Sequence, residues 1–192
     1  MPISEIAPAN ETTVKNLLEA FEGESNASAR YLRFAARAEH EGLHGAASLF
    51  RAVACGEEIH AAAHGRVIRQ LGGNPSAPLH PVRPGSTLEN LRTALAGEVA
   101  EVEEMYPAFI AEATERSNSA AMRTFAWALE AEKSHARLFE EALALMETGK
   151  PGWLAEAREF YVCPACGYAS EKREAARCQT CHCVWERFEK VA

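Results

Sequence analysis

The sequence has no apolar run approaching the ~18 residues that a membrane-spanning helix requires, and no cluster of Lys and Arg. Its formal net charge is −7 over 192 residues, the wrong sign for a surface that neutralises phosphates, so neither a membrane nor a nucleic acid is expected as a partner. The first residues, Met1-Pro2-Ile3-Ser4-Glu5, lack the basic-then-apolar layout of a secretory leader, which leads to the expectation of a cytoplasmic protein. No Gly-x-Gly-x-x-Gly is present, so the chain is not expected to bind NADH itself. Cysteine is scarce over most of the length, with Cys55 standing alone before residue 163.

The other five cysteines crowd the last thirty residues: Cys163, Cys166, Cys178, Cys181 and Cys183. In a reducing compartment such a cluster points to metal rather than to disulfides. Cys163-Pro-Ala-Cys166 and Cys178-Gln-Thr-Cys181 are two C-x2-C knuckles separated by eleven residues. Four thiolates at that spacing suit a tetrahedral iron or zinc site, and the spacing alone does not choose between them. Cys183 reads as a spare thiol and Cys55 as a buried free one.

Upstream, Ala, Leu, Glu and Arg dominate, and apolar positions recur at helical spacing. The pattern predicts helices over about residues 10–41, 45–71, 87–117 and 119–148. Residues 73–86 carry four prolines and cannot be helix interior. Two tight turns and one long middle connection predict an all-α four-helix bundle with a single crossover, as in ferritin-like folds. Gly149-Lys150-Pro151-Gly152 ends the last helix. The expected division is a bundle over 1–150, a linker over 151–160 and a small cysteine domain over 161–192. A segment so short usually needs a metal, disulfides or a partner to fold.

The helices also repeat. Leu91, Ala94, Gly97 and Glu98 echo Leu17, Ala20, Gly23 and Glu24 at an offset of 74, and Phe125, Glu132 and His135 echo Phe50, Glu57 and His60 at 75. Two similar hairpins packed about a pseudo-twofold axis would bring these polar residues to a shared centre. Glu57-x-x-His60 and Glu132-x-x-His135 each place a carboxylate and an imidazole on one helix face. With Glu24 and Glu98 from the other two helices they form the pattern of a carboxylate-bridged di-metal site. Four carboxylates balance the charge of two divalent ions, which makes such burial tolerable. Glu101 breaks the symmetry, because Ala27 occupies the matching position in the first helix. Tyr31 shares the face of Glu24 and is a candidate proton or hydrogen-bond donor. Tyr106 aligns less well, and His64 reads as a surface or supporting residue.

Taken together, Ala20-Phe21-Glu22-Gly23-Glu24-Ser25, both Glu-x-x-His pairs, Gly97-Glu98 with Glu101, Met105-Tyr106-Pro107 and Cys163-Pro164-Ala165-Cys166-Gly167-Tyr168 resemble the rubrerythrin family. The resemblance implies two non-haem iron ions held by Glu24, Glu57, His60, Glu98, Glu101, Glu132 and His135. It further implies one iron in a rubredoxin-like domain at Cys163, Cys166, Cys178 and Cys181. The activity it implies is reduction of hydrogen peroxide to water in oxidative-stress defence, with electrons supplied by rubredoxin or an NADH-dependent reductase and relayed through the Fe(Cys)4 centre. A homodimer is implied as well, in which the cysteine centre of one chain serves the di-iron site of the other. A ferroxidase and a zinc-ribbon interaction module are the alternatives. The second knuckle, Cys178-Gln179-Thr180-Cys181-His182-Cys183, departs from the family pattern in lacking the usual proline and glycine; that glycine permits a turn whose N–H groups point at sulfur, so the departure bears on the potential and the iron occupancy of the site.

Overall fold

The computed structural model describes residue 7, residues 10–150 and residues 152–192. Residues 1–5, on which the expectation about a secretory leader rests, and Pro151 lie outside the described residues.

Helix α1 (Glu11–His40) and α2 (His44–Gln70) form the first hairpin; α3 (Thr87–Ala100), α4 (Tyr106–Glu115) and α5 (Ser119–Glu147) build the second. The turn between α1 and α2 closes on Gly42, whose φ of 74° is the left-handed conformation that ends a helix without a Cβ clash. Ser86 opens α3 with a capping box to Glu89, and the Asn118 side chain caps α5 at the Ala121 N–H. The long crossover is tied down where Asn26 donates to the Pro78 carbonyl (2.9 Å) and accepts from the His80 N–H (2.8 Å).

The third rod differs from the continuous helix expected over 87–117. Residues Glu101–Met105 form a π-helical turn, with the Tyr106 N–H donating five residues back to the Glu101 carbonyl. Such a turn holds one extra residue. That accounts for a slip in the repeat: Glu98 follows Glu24 by 74 positions, whereas Tyr106 follows Tyr31 by 75. The extra residue restores Tyr106 to the inner face.

Two apolar clusters fill the bundle. One is built on Tyr31, Phe34, Leu49, Phe50, Leu138 and Phe139, the other on Leu17, Ile68, Tyr106, Phe109 and Phe125. After a short 3-10 turn at Gly152–Ala155, strands β1 (Phe160–Val162), β2 (Ala169–Ser170) and β3 (Glu189–Val191) form an antiparallel sheet in the order β2-β1-β3. Phe160, Val162 and Ala169 join the first apolar cluster, so the small sheet rests on the bundle of its own chain.

The two knuckles share one turn. The Gly167 N–H donates to the Cys163 carbonyl (2.9 Å), and the His182 N–H donates to the Cys178 carbonyl (3.0 Å). Gly167 and His182 both have left-handed backbones, φ 78° and 61°. The backbone therefore keeps the same turn without the glycine, and His182 bears the strain, roughly 1–2 kcal/mol for a residue with a Cβ. His182→Gly is expected to raise the denaturant midpoint of the cysteine domain, by about 1 kcal/mol of stability, followed by loss of metal–thiolate absorbance. An unchanged or lower midpoint would contradict the strain at this turn.

Candidate metal centre

Between the two apolar clusters lies a layer of buried acids and imidazoles. Glu24 comes from α1, Glu57 and His60 from α2, Glu98 from α3, and Glu132 and His135 from α5; all six are essentially sealed from solvent. They fall into two groups whose ligating atoms lie within 4.8 Å of one another: Glu24, Glu57, His60 and Glu132, and Glu57, Glu98, Glu132 and His135. Opposed donors around one ion with bonds of ~2 Å are separated by about 4 Å, so each group is of single-ion size. Glu57 and Glu132 belong to both.

The contacts inside this layer are not those of a self-satisfied network. Glu24 Oε2, Glu57 Oε1, Glu98 Oε2, Glu101 Oε2 and Glu132 Oε1 are all buried without a hydrogen-bond partner. Glu132 Oε1 lies only 2.7 Å from His60 Nδ1, yet out of hydrogen-bonding alignment. Such atoms face a common point rather than each other. Buried carboxylate oxygens this close are costly unless a cation is shared among them, and the donor set therefore fits a pair of metal ions.

The histidines are held from behind. His60 Nε2 donates to the Cys166 carbonyl (2.9 Å) and His135 Nε2 to the Gly167 carbonyl (3.1 Å). A carbonyl only accepts, so both Nε2 atoms carry protons and both Nδ1 atoms face the carboxylates, the orientation a metal ligand needs. The approach is tight: a Cβ on Gly56 would stand 2.8 Å from the His135 ring, and one on Gly167 would stand 2.3 Å from His60 Nε2. Two glycines thus let the knuckle backbone reach the site.

Two tyrosines cross the bundle. The Tyr31 hydroxyl donates to Glu98 Oε1 at 2.5 Å, and the Tyr106 hydroxyl donates to Glu24 Oε1. Each helix of the repeat thus supplies the phenol for the carboxylate of the other. Tyr106 is as well placed as Tyr31. The signal that finds it is the 74-to-75 slip, which five-residue spacing from Glu101 conceals. His64 is fully buried rather than at the surface, with Nε2 at 3.1 Å from the Tyr106 hydroxyl. Glu101 stands outside both groups of four, with one oxygen buried and free.

In the C-terminal domain the four knuckle sulfurs converge, Cys163 Sγ to Cys181 Sγ at 3.4 Å and Cys166 Sγ to Cys178 Sγ at 3.6 Å. A tetrahedral ion with bonds near 2.3 Å has edges of about 3.8 Å, so this set also has the size of one ion. Cys183 is not among the four. Cys55 is only half-buried, near Glu189, and burial pushes its thiol up to about 11.

A family model described as Rubrerythrin matches residues 15–143. The chain belongs to the rubrerythrin family. It is 34% identical over 182 residues to Rubrerythrin-2 of Clostridium acetobutylicum, covering 94% of this chain and 97% of that one. It is 31% identical over 171 residues to Nigerythrin of Nitratidesulfovibrio vulgaris, covering 88% and 82%. A solved structure of fully reduced, all-ferrous nigerythrin shares the fold, with a TM-score of 0.83, 31% identity and coverage of 93% of this chain and 86% of that one. A Desulfovibrio desulfuricans bacterioferritin, at TM-score 0.71 and 20% identity over 77% of this chain and 86% of that one, shares the ferritin-like bundle. As a rubrerythrin the protein has a carboxylate–histidine di-iron site and a cysteine cluster consistent with Fe(Cys)4. Among the described residues no helix is long and apolar enough to cross a membrane.

Without metal the layer holds protons instead. Burial, and then the charge of Glu57, pushes the Glu24 carboxyl well above the usual range. Burial and neighbouring carboxylates do the same to Glu57 and Glu101, and burial does so to Glu132 despite His60. For His135 burial opposes the charge, but Glu98 and Glu57 outweigh it and raise the imidazole to about 9. Stability from that raised histidine is fully present below its ordinary value of 6.5 and is lost as pH climbs through about 9. The raised carboxyls act in the same direction above their ordinary 4.5. The metal-free chain is therefore expected to be less stable towards urea at pH 9 than at pH 6, whereas iron, which displaces those protons, removes or reverses the trend. Equal metal-free stability at both pH values would contradict this picture.

Proposed function

We propose that this rubrerythrin is a peroxide reductase, turning hydrogen peroxide to water in the cytoplasm with electrons relayed from an external rubredoxin or NADH-dependent reductase. The observation that carries the reading is the pair of four-residue groups sharing Glu57 and Glu132. In this reading Glu57 and Glu132, common to both groups, would help to hold both ions. Glu24 and His60 complete one, Glu98 and His135 the other, and Glu101 is a reserve ligand. Cys163, Cys166, Cys178 and Cys181 hold a third iron. We assign the division of the chain accordingly, with the bundle over 1–150, the linker over 151–160 and the cysteine domain over 161–192.

When bound, the ferrous pair supplies both electrons that a peroxide consumes, and the cysteine-held iron replaces them singly. The chain's own residues do the rest. Tyr31 and Tyr106 orient Glu98 and Glu24 by donating to them. The aromatic cluster of Tyr31, Phe34, Phe50 and Phe139 keeps one side of the layer dry, which strengthens every charge interaction within it. Glu101 also lines a surface groove of about 480 Å³ with Glu19, Gly97, Glu104 and Phe109; we assign this groove as the entry for a small, uncharged peroxide. The His60–Cys166 and His135–Gly167 hydrogen bonds join the carboxylate and cysteine sets. In this reading they carry the electron route from the cysteine set to the carboxylate set. The homodimer itself remains part of the proposal.

Glu98→Ala or His135→Ala should abolish peroxide turnover while circular dichroism shows the helical content retained; turnover surviving in either variant would contradict the ligand assignment. Competing oxidation with peroxide and with oxygen separates this reading from a ferroxidase. Metal analysis giving zinc and no iron would replace it with the interaction module.

A further inference from the structure

A single file of polar side chains runs from Glu24 through the second apolar cluster to the surface. The Tyr106 hydroxyl donates to Glu24. His64 Nε2 lies 3.1 Å from the Tyr106 oxygen, and Thr124 Oγ1 lies 3.1 Å from His64 Nδ1. Tyr106 and His64 are fully buried and Thr124 is 8% exposed. Thr124 also lines a groove of about 190 Å³ between α2 and α5, together with Arg66, Gln70, Arg123 and Trp127. Around the file the packing is aromatic, with Phe125 5.4 Å from the His64 ring and 6.1 Å from the Tyr106 ring. His64 Nε2 is 4.0 Å from Glu24 Oε1, beyond hydrogen-bonding reach, so Tyr106 is the necessary link.

The direction of the file follows from donor and acceptor capacity. Tyr106 has one hydroxyl proton and gives it to a carboxylate, so its oxygen must accept from His64. His64 therefore carries its proton on Nε2, and its Nδ1 accepts from the Thr124 hydroxyl. Every donor points inward, from the groove towards Glu24. A histidine that served only to fill the core would not require this alignment, and an apolar residue of similar volume would fill it without burying two ring nitrogens.

We propose that Thr124, His64 and Tyr106 are the proton-entry line of this centre, carrying protons from groove water to Glu24; the inference rests on the peroxide-reductase reading. In one passage a hydronium that reaches the groove from bulk solvent gives a proton to Thr124 and is left as water. The Thr124 proton moves to His64 Nδ1, the His64 Nε2 proton moves to Tyr106, and the Tyr106 proton moves to Glu24. One proton enters and one arrives, no electron moves, and none of the three residues changes charge. The hydroxyls and the imidazole ring then turn back to reset the line. Burial holds the His64 imidazole neutral, lowered to about 3, which suits a group that passes protons without storing one.

Two measurements test the line. In the full chain loaded with zinc instead of iron, nitrogen NMR should find His64 as the Nε2–H form, and its ring proton should exchange with water about tenfold more slowly in Thr124→Val. An Nδ1–H form, or exchange unaltered by the substitution, would overturn the proposal. This arm involves no peroxide, so its outcome is independent of the peroxide-reductase reading. In the iron-loaded, reduced chain, stopped-flow oxidation by peroxide should slow about tenfold in Thr124→Val and His64→Leu, with a larger solvent isotope effect. Thr124→Ser should restore both. Rates within about twofold of the wild type at equal iron content would overturn the line. Should His64→Leu fail to take up iron, the Thr124→Val and Thr124→Ser pair decides alone.

Discussion

The structure depends on burying more negative charge than its protein atoms neutralise. Glu24, Glu57, Glu98 and Glu132 lie in a buried layer with two imidazoles, and each leaves one oxygen without a partner. Stripping a carboxylate of water costs several kcal/mol even after relaxation, so the layer is unfavourable as a purely protein network. Two divalent cations offset it. Without them the site takes up protons, which is the sense of the raised carboxyls and of His135 at about 9.

The surroundings serve that constraint. Apolar clusters close the layer on two sides, two phenols cross between hairpins to hold the terminal carboxylates, and two knuckle carbonyls fix the imidazoles. Gly56 and Gly167 are small for the same reason, because a Cβ at either would occupy the space through which backbone meets imidazole. The departure from twofold symmetry is concentrated in the third rod. There the π turn begins at Glu101, and the same residue lines the surface groove. The extra residue thus does two things at once: it keeps Tyr106 on the inner face and sets a fifth carboxylate beside the site.

Much of this was legible in the residues, and the exceptions have physical causes. The bundle and its crossover follow from helical periodicity and the prolines of 73–86, and the six inner-layer residues follow from the repeat. The π turn was not read, because periodicity over a long helix averages away a single inserted residue; only the mismatch between the Glu24/Glu98 and Tyr31/Tyr106 offsets records it. For His64 the sequence leaves surface and supporting roles open, since a histidine four residues beyond His60 carries no partner in sequence; burial against Tyr106 and Thr124, from other helices, selects the supporting one. That His182 keeps the turn without the family's glycine follows from backbone hydrogen bonds that join Cys178 to His182 and Cys183, which side-chain identity does not reveal. The docking of the small sheet on its own bundle depends on surface fit, which no local pattern encodes.

Anomalous diffraction at the iron edge from crystals of the iron-loaded chain is the most direct test of the central claim. The account predicts two peaks roughly 3.5–4 Å apart, flanked by Glu57 and Glu132, and a third among Cys163, Cys166, Cys178 and Cys181. A bundle with one peak or none, its carboxylates paired with protein groups instead, would contradict it.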